Sequence, residues 1–384
     1  MFFALVQDKK WIKRLKDNLE EHRLLHPTLK ITQVGDWTRI PLSQCSESDI
    51  PELVRQHSTI VEEEEPQKTD SKLQPKLKYS VYPPMALIVS GQQVDEQSVQ
   101  SLLSINVTHV AINSPIKDAT DVVRRPKIIP VHGDFGPEPT LESINNPTES
   151  DFDAAFWATC VQHGVHQTWA PRYTMFSRGN IKEKNRVLTQ FNNQQVISDS
   201  IVVDLYAGIG YFSLCYAMQH PTLVLCWEIN PWSVEGFARG AKRNGINVRV
   251  IRHGEPFQPL QNDRIVIFLE DNCYAVERLS KLTSLPQFQQ TPISHINMGL
   301  LPDCRLAWGQ AMKIAALSPQ KTVLHVHENV AADQIESYSL QCADELAKGQ
   351  PGCSTEHLHT ERVKTFAPGV WHVVMDISAT NPIS

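Results

Sequence analysis

The strongest chemical signal in the chain is a glycine turn at the end of a short apolar run. The run covers residues 201–205 and contains Asp204, and the turn reads Ala207-Gly208-Ile209-Gly210-Tyr211. Glycines let the backbone approach a ligand closely and turn directly into a helix. The third glycine of the dinucleotide fingerprint is replaced by Ser213, and no Gly-Lys-Ser/Thr follows. The turn disfavours a pyrophosphate and, with its acid, favours a ligand that carries an amino or sulfonium cation.

A second acid, Glu228, closes the next apolar run, roughly 20 residues further on. A carboxylate at this place can accept hydrogen bonds from both hydroxyls of a ribose. The glycine turn alone is equally consistent with a tight connection between a strand and a helix. Together, the turn and Glu228 are typical of the class I S-adenosylmethionine fold. Asp204 has two open roles, because it either contacts the ligand or orients the turn.

These residues require a scaffold of alternating strands and helices, and the chain after Ser200 has that pattern. Pro231 suits the first position of a helix, and Gly245 suits the residue after its end. The last two segments, 356–364 and 370–377, are read as strands around Ala367-Pro368-Gly369 and predict a terminal hairpin. Strands that alternate with helices indicate a parallel sheet. The predicted fold class is α/β, a class I S-adenosylmethionine-dependent (Rossmann-like) transferase domain with a smaller N-terminal α+β domain.

The domain organisation follows from length and local composition. A chain of 384 residues exceeds the usual size of one domain, which predicts two. We expect an N-terminal α+β region at 1–147, with a helix at 9–21, and a class I S-adenosylmethionine-binding domain at 148–384. Residues 43–78 include four consecutive glutamates and few apolar anchors, so they predict a mobile insertion.

Composition excludes several classes of protein. No run approaches the ~18 apolar residues of a membrane span, and the start of the chain has no secretory pattern. The eight cysteines form no Cys-x-x-Cys pair, which favours a cytoplasmic protein with reduced thiols. His325 and His327 share one strand face, as do His357 and His359, but neither pair has a further ligand at metal spacing, so no metal is expected.

A net charge of −6 leaves no overall field that would attract a nucleic acid. Basic residues must therefore be concentrated locally, and residues 168–186 carry five of them with interleaved aromatics. Such a segment suits single-stranded RNA or another anion. The residues predicted to bind RNA are Arg172 and Arg178 in this segment, and Lys13 and Lys16 on the N-terminal helix.

Several separated motifs resemble one family in the same order along the chain. They are Asp204 to Phe212, Glu228-Ile229-Asn230-Pro231, residues 169–186, residues 295–302 and residues 363–372. The chain resembles the tRNA wybutosine-synthesizing protein 2 family in its fungal-like form, which is related to the tRNA guanine-37 N1-methyltransferases. The resemblance covers roughly residues 150 to 378 and is loose before that, around Tyr82-Pro83-Pro84-Met85.

The resemblance implies that the region at 1–147 binds tRNA and that 148–384 is the catalytic domain. It also implies S-adenosylmethionine as the cofactor and assigns its contacts. Ser177 and Lys184 would contact it, the lysine through the methionyl carboxylate, and Glu228 would hold the ribose. An Asp-Asn pair follows the third strand of the family, at the adenine. Asp271-Asn272 and His253-Gly254-Glu255 compete for this place, and a strand at 265–269 favours the first, with 253–264 as an insertion. The predicted cofactor-binding set is Ser177, Lys184, Asp204, Ala207, Gly208, Gly210, Tyr211, Glu228, Asp271 and Asn272.

The implied reaction transfers the 3-amino-3-carboxypropyl group to C7 of 4-demethylwyosine in the anticodon loop of tRNA-Phe, at position 37. Residues 297–302 read Asn-Met-Gly-Leu-Leu-Pro, and 177–180 read Ser-Arg-Gly-Asn; both differ from patterns typical of methyltransferases. Two alternatives stay open, a guanine-37 N1-methyltransferase and a tRNA-binding scaffold with a vestigial site. No general base is identifiable; Asp303 and His295 are only candidates.

Overall fold

A computed structural model describes residues 2–26, 29–34, 36–43, 45–62, 77–114, 125–189 and 197–381. The chain divides into two compact units, Met1–Lys76 and Leu77–Ser384. No helix in the described ranges is long and apolar enough to cross a membrane.

The first unit is a four-stranded antiparallel sheet covered by helices. Its elements are β1 (Phe2–Val6), α1 (Lys9–Glu21), β2 (Thr32–Val34), β3 (Trp37–Pro41), α2 (Glu52–His57) and β4 (Thr59–Glu62). The strand order is β2-β3-β1-β4. Asp8 caps α1 by accepting the Lys10 N–H, and the helix buries Leu15 and Leu19 against Ile40 of the sheet. The predicted helix at 9–21 and the α+β character of this region are confirmed.

The second unit begins with a smaller sheet in the order β5-β6-β7-β8. Its elements and those that follow are β5 (Tyr79–Tyr82), β6 (Met85–Ile88), α3 (Glu96–Leu103), β7 (His109–Ile112), β8 (Ile129–His132), α4 (Leu141–Asn145), α5 (Glu149–Ala154), β9 (Ala158–Gln162), β10 (Val165–Trp169) and α6 (Ile181–Thr189). Tyr82 and Met85 share a buried cluster with Trp169 and Ile209. The small sheet therefore packs on the predicted catalytic domain.

Two predicted boundaries differ from the structure. The units divide at Lys76 instead of residue 147, because the β5–β8 sheet shares its core with the residues around the glycine turn. The insertion predicted at 43–78 contains α2 and β4, where Val54 packs into the core of the first unit. Of that insertion, residues 63–76 lie outside the described residues.

The catalytic sheet has eight strands in the order β13-β14-β12-β11-β15-β16-β18-β17. The elements are β11 (Ile201–Asp204), α7 (Ser213–Ala217), β12 (Leu223–Glu228), α8 (Pro231–Arg243), β13 (Val248–Arg252), β14 (Ile265–Leu269), α9 (Ala275–Thr283), β15 (Ile293–Met298), α10 (Trp308–Ala315), β16 (Thr322–Ala331), α11 (Ile335–Lys348), β17 (Ser354–Ala367) and β18 (Val370–Thr380). β11 to β16 run parallel, and β17 and β18 form the predicted antiparallel hairpin.

The central strands β11, β12 and β14 of the eight-stranded sheet are buried on both faces, which explains why they are nearly continuous apolar runs. The strand order reverses beside β11, because the chain passes to β12 on one side and later to β15 on the other. A crevice forms at such a switch point, outside the carboxyl ends of the strands. The expected class I fold is confirmed, and β13 forms one edge of the sheet.

Candidate active site

A cavity of about 570 Å³ lies at the carboxyl ends of β11, β12, β14 and β15. This volume is in the range of small-molecule sites. Its polar wall includes six of the ten predicted cofactor residues: Ser177, Gly208, Tyr211, Glu228, Asp271 and Asn272. Lys184, Asp204, Ala207 and Gly210 are not in the wall.

The glycine turn owes its shape to two left-handed residues, Gly208 at φ 56° and Gly210 at φ 79°. A Cβ on Gly210 would lie 2.5 Å from Cδ2 of Phe237, so the turn can pack on α8 only with glycine there. Gly210 therefore supports the turn from below, whereas Gly208 faces the cavity. Ala207 is buried and donates its N–H to the Trp227 carbonyl, which joins the turn to β12.

Asp204 lies beneath the turn and orients it. Its carboxylate accepts hydrogen bonds from Ser213 Oγ at 2.6 Å, Asn297 Nδ2 at 3.0 Å and the Tyr206 N–H at 3.3 Å. The side chain is fully buried, and this burial raises the pKa of Asp204. Of the two roles open from the sequence, the geometry favours orientation over contact with a ligand.

Glu228 is held in the cavity wall by backbone donors. Its Oε2 accepts the Gly208 N–H and its Oε1 accepts the Asn230 N–H, both at 2.8 Å. Burial raises the pKa of Glu228, and these hydrogen bonds oppose the shift. Each carboxylate oxygen has a further lone pair, so Glu228 can also accept from a vicinal diol.

The residues after β14 form the opposite wall. Asn272 donates to the Leu205 carbonyl at 2.9 Å, and Asp271 accepts the Cys273 N–H at 2.8 Å. The competing segment, His253-Gly254-Glu255, lies outside the cavity wall. There, Glu255 accepts the Arg252 N–H in its own loop. The geometry favours Asp271-Asn272 for the adenine end.

Lys184 is buried outside the cavity, with 1% of its surface exposed. Its ammonium donates to Gln162 Oε1 at 2.8 Å and to Gln167 Oε1, and it lies 5.1 Å from the Tyr211 ring centroid. Burial lowers the pKa of Lys184 to about 8. The expected contact between Lys184 and the methionyl carboxylate does not agree with this geometry, because Tyr211 and not Lys184 forms the wall there.

Lys364, which was not predicted from the sequence, reaches the cavity from β17. Its Nζ lies 3.4 Å from Ser177 Oγ. The residue stands in one of the motifs that carry the family resemblance, and that motif was the available signal. Its position in the site depends on the path of a hairpin that begins far along the chain.

The mouth of the cavity is apolar and exposed. Leu306 is 89% exposed and Phe366 is 58% exposed, and Leu300 and Leu301 lie beside them in the wall. Asn297 and His295 are buried below this region, with Asn297 bound to Asp204 and His327. Neither His295 nor Asp303 lines the cavity, so the geometry supports neither of them as a general base.

Comparison with known proteins places the chain in a family. Residues 159–279 match the family described as TRM5/TYW2 methyltransferase domain. The tRNA wybutosine-synthesizing protein 2 of Schizosaccharomyces pombe is 40% identical over 343 residues, covering 84% of this chain and 75% of that protein. The chain belongs to the tRNA wybutosine-synthesizing protein 2 family.

One further relative agrees with this placement, and one solved structure shares the fold. The Saccharomyces cerevisiae protein of the same name is 39% identical over 293 residues, which are 71% of this chain and 60% of that protein. The solved structure of P. horikoshii TYW2 in complex with MeSAdo has a TM-score of 0.54 at 18% identity. It covers 81% of this chain and 93% of that chain, and it shows the shared fold.

In this member of the wybutosine-synthesizing protein 2 family, the basic segment 168–186 is less exposed than its sequence indicates. Arg172 pairs with Glu138 at 2.9 Å and is largely buried, whereas Arg178 is exposed and donates to Ser80 Oγ at 2.9 Å. Lys184 and Arg186 are buried. The segment therefore cannot act as one continuous RNA surface, and Arg178 is its best remaining candidate.

The other two predicted RNA contacts lie on α1 of the first unit. Lys13 is exposed, and Lys16 pairs with Glu20 at 3.1 Å on the helix surface. The histidine pairs considered for metal binding have other partners: His325 contacts Asp376 at 2.7 Å and His327 contacts His372 at 3.1 Å. Among the described residues, no group of three or more His, Cys, Asp or Glu is arranged to hold a metal ion.

Proposed function

We propose that the chain transfers the 3-amino-3-carboxypropyl group of S-adenosylmethionine to C7 of 4-demethylwyosine at position 37 of tRNA-Phe, with methylthioadenosine as coproduct. Membership of the tRNA wybutosine-synthesizing protein 2 family supports the reaction. The observation that carries the cofactor assignment is the cavity wall, where Glu228, Gly208 and the Asp271-Asn272 pair meet at the switch point of the sheet.

The cavity residues fit the parts of S-adenosylmethionine. Glu228 would bind the ribose hydroxyls, and Asp271 with Asn272 would bind the adenine, beside the apolar wall of Leu205 and Trp227. The open edge of the glycine turn leaves room for the sulfonium. Bound S-adenosylmethionine supplies three electrophilic carbons, so the protein decides the product by orienting one of them toward the acceptor.

The chemistry needs orientation more than proton transfer. Precise placement of two reactants can lower a barrier by roughly 7 to 11 kcal/mol at best. The exposed apolar mouth at Leu306 and Phe366 suits the face of a planar tricyclic base, because aromatic rings stack on bases with little sequence dependence. We place the base of the tRNA there.

We further propose that tRNA-Phe is bound through its anticodon loop and that the protein is cytoplasmic. Arg178 and Lys13 are the exposed cations that we propose for the phosphates, together with the half-buried Lys16, which also pairs with Glu20. Arg172 contributes less, because Glu138 already neutralises it. All eight cysteines lie in the described part of the chain and are free, which suits a reducing compartment.

The coproduct tests the proposed reaction. Incubation with S-adenosylmethionine and tRNA-Phe that carries 4-demethylwyosine should release methylthioadenosine. Release of S-adenosylhomocysteine would contradict the proposal and favour the guanine-37 N1-methyltransferase. Absence of cofactor binding in calorimetry would contradict both enzymes and favour the tRNA-binding scaffold.

A further inference from the structure

Lys364 is a cation in the cavity wall that no part of the proposed function has used. It lies on β17 and its side chain passes Gly179 to reach Ser177, with Nζ 3.4 Å from the Ser177 hydroxyl. A Cβ on Gly179 would lie 2.9 Å from that Nζ and closer to the aliphatic stem of the lysine. The missing side chain at 179 therefore gives Lys364 its route into the cavity.

The Lys364 ammonium is partly removed from water, and the described part of the chain gives it no counter-ion. Within the described ranges, no carboxylate lies at ion-pair distance from it, and burial lowers its pKa. The acids of the cavity wall have other donors: Glu228 accepts backbone N–H groups, and Glu270 is bound to Arg278 at 2.8 Å. A partly desolvated ammonium whose described partner is a neutral hydroxyl is unfavourable, so this place favours an anionic group of a ligand.

The neighbours of Lys364 are compatible with the binding of an anionic group. His372 lies opposite it on β18, and burial together with the Lys364 charge lowers the pKa of His372 to about 4, so the ring is neutral at pH 7. Ser177 adds a hydroxyl that can donate to the same anion. A lysine and a serine in one wall form a binding site for a carboxylate.

We propose that Lys364, assisted by Ser177, binds the methionyl carboxylate of S-adenosylmethionine and thereby fixes the chain that is transferred. The inference rests on the proposed function, because it assigns one end of the same ligand. Lys184 then acts as a positioning residue behind the wall, since it holds Gln162 and Gln167 and lies against the Phe176 and Tyr211 rings.

Three ligands separate the carboxylate from the rest of the cofactor. Calorimetry with S-adenosylmethionine, decarboxylated S-adenosylmethionine and methylthioadenosine measures whether the carboxylate strengthens binding. For the unaltered protein we expect S-adenosylmethionine to bind about 10- to 100-fold more tightly than its decarboxylated form, as a charge-assisted contact implies. For Lys364→Met this preference should fall to about twofold or less, with methylthioadenosine affinity retained.

Three lysine variants serve as controls. Lys182→Met removes an exposed lysine that pairs with Glu361 outside the cavity, and it should keep the full preference. Lys184→Met should weaken the binding of all three ligands by a similar factor, because it alters the support of Tyr211. Lys364→Arg retains the positive charge and should restore part of the preference lost in Lys364→Met.

The preference is a ratio of two affinities, so a reduced fraction of folded protein does not change it. An unchanged ratio in Lys364→Met would overturn the inference, as would a ratio that falls only in Lys184→Met. A protein that shows no preference for the carboxylate in its unaltered form would overturn it too. These outcomes leave the proposed reaction intact, since that reaction is tested by its coproduct and not by the carboxylate preference.

Discussion

Gly208 donates its backbone N–H to Oε2 of Glu228 at 2.8 Å, which joins the glycine turn directly to the acid at the end of the next strand. The two strongest signals in the sequence are therefore parts of one hydrogen-bonded unit. Asp204 holds the turn from below through Ser213 and the Tyr206 N–H, so the position of Glu228 depends on both sides of the turn. This unit is the part of the site on which cofactor affinity should depend most.

Replacing Glu228 tests that unit. Glu228→Gln keeps the size of the side chain but removes the charge that accepts the ribose hydroxyls, at a cost of roughly 1.5 to 3 kcal/mol. We expect S-adenosylmethionine and methylthioadenosine to lose similar affinity in calorimetry, because both contain the ribose. Glu235→Gln, on the surface of α8 and paired with Arg239, is the matched control. Unchanged affinity in a folded Glu228→Gln protein would reject the ribose assignment.

Arg186 should matter for stability and not for RNA. Its guanidinium, 4% exposed, bonds Glu183 at 2.7 Å and Asp376 at 3.0 Å. Burial raises the pKa of Glu183, and it would also raise that of Asp376 if His325 and Arg186 did not hold it low. Arg186→Met leaves the two buried carboxylates without this cation. We expect the free energy of unfolding, measured in urea, to fall by about 3–5 kcal/mol.

The control for Arg186 is Lys182→Met, which removes an ion pair between an exposed lysine and the partly buried Glu361. It should change stability by less than about 1 kcal/mol, because solvent screens the lysine. An Arg186→Met protein that was as stable as the unaltered protein but bound tRNA weakly would contradict this prediction, because the arginine would then act on RNA and not on the fold.

Glu328 predicts a pH dependence of stability. Burial raises the pKa of Glu328 from 4.5 to about 7, and Tyr338 donates to its Oε2 at 3.1 Å. Between those pH values the folded carboxyl keeps a proton that the unfolded chain has released, so this group lowers stability as pH rises. Glu328→Gln removes that loss, and it should gain about 1–3 kcal/mol at pH 8 relative to pH 5.

Urea unfolding of both proteins at pH 5 and pH 8 measures this effect. Glu336→Gln, which begins α11 at the surface, controls for the general change in charge. If the free energies of unfolding of Glu328→Gln and of the unaltered protein differ by the same amount at pH 5 and pH 8, that result would contradict the prediction. It would show that Glu328 is ionised in the folded state at both pH values.

Exposed cations should set the salt dependence of tRNA binding. Each lost phosphate contact lowers the slope of log affinity against log salt by about 0.7 to 0.9. We expect Arg178→Ala to lower the slope by this amount. The double variant Lys13→Ala, Lys16→Ala should lower it by up to twice as much. Arg172→Ala should change the slope less, because Glu138 pairs with it. Cofactor affinity should stay the same, and unaltered slopes in all variants would place the RNA surface elsewhere.

Local motifs allowed the sequence to predict the centre of the site. The glycine turn and Glu228 are each defined by a few adjacent residues, and a parallel sheet necessarily brings the carboxyl ends of its strands to one edge. The sequence favours Asp271-Asn272 because an apolar run at 265–269 ends just before it, and the structure shows this run as the strand that pairs with β12. The terminal hairpin is predicted from two strand-like segments around Ala367-Pro368-Gly369.

Long-range packing explains what the sequence could not show. Lys184 and Lys364 stand in equally recognisable motifs, but only Lys364 lines the cavity, and it lies 187 residues after its neighbour Ser177. The basic residues near Arg178 cannot be told apart in the sequence, yet Arg186 is buried and forms an ion pair with Asp376 of the last strand. The boundary at Lys76 depends on a core shared between Tyr82 and Trp169. None of these relationships is encoded in local spacing.

The transfer of isotope label tests the central claim most directly. Two preparations of S-adenosylmethionine, one labelled in the methyl group and one in the methionyl carboxylate, are incubated with the protein and tRNA-Phe that carries 4-demethylwyosine; tRNA-Phe with guanine at position 37 is the control. We expect the carboxylate label to enter the tRNA and the methyl label to stay in methylthioadenosine, with no transfer to the control. Methyl label in either tRNA, without carboxylate label, would contradict an aminocarboxypropyltransferase.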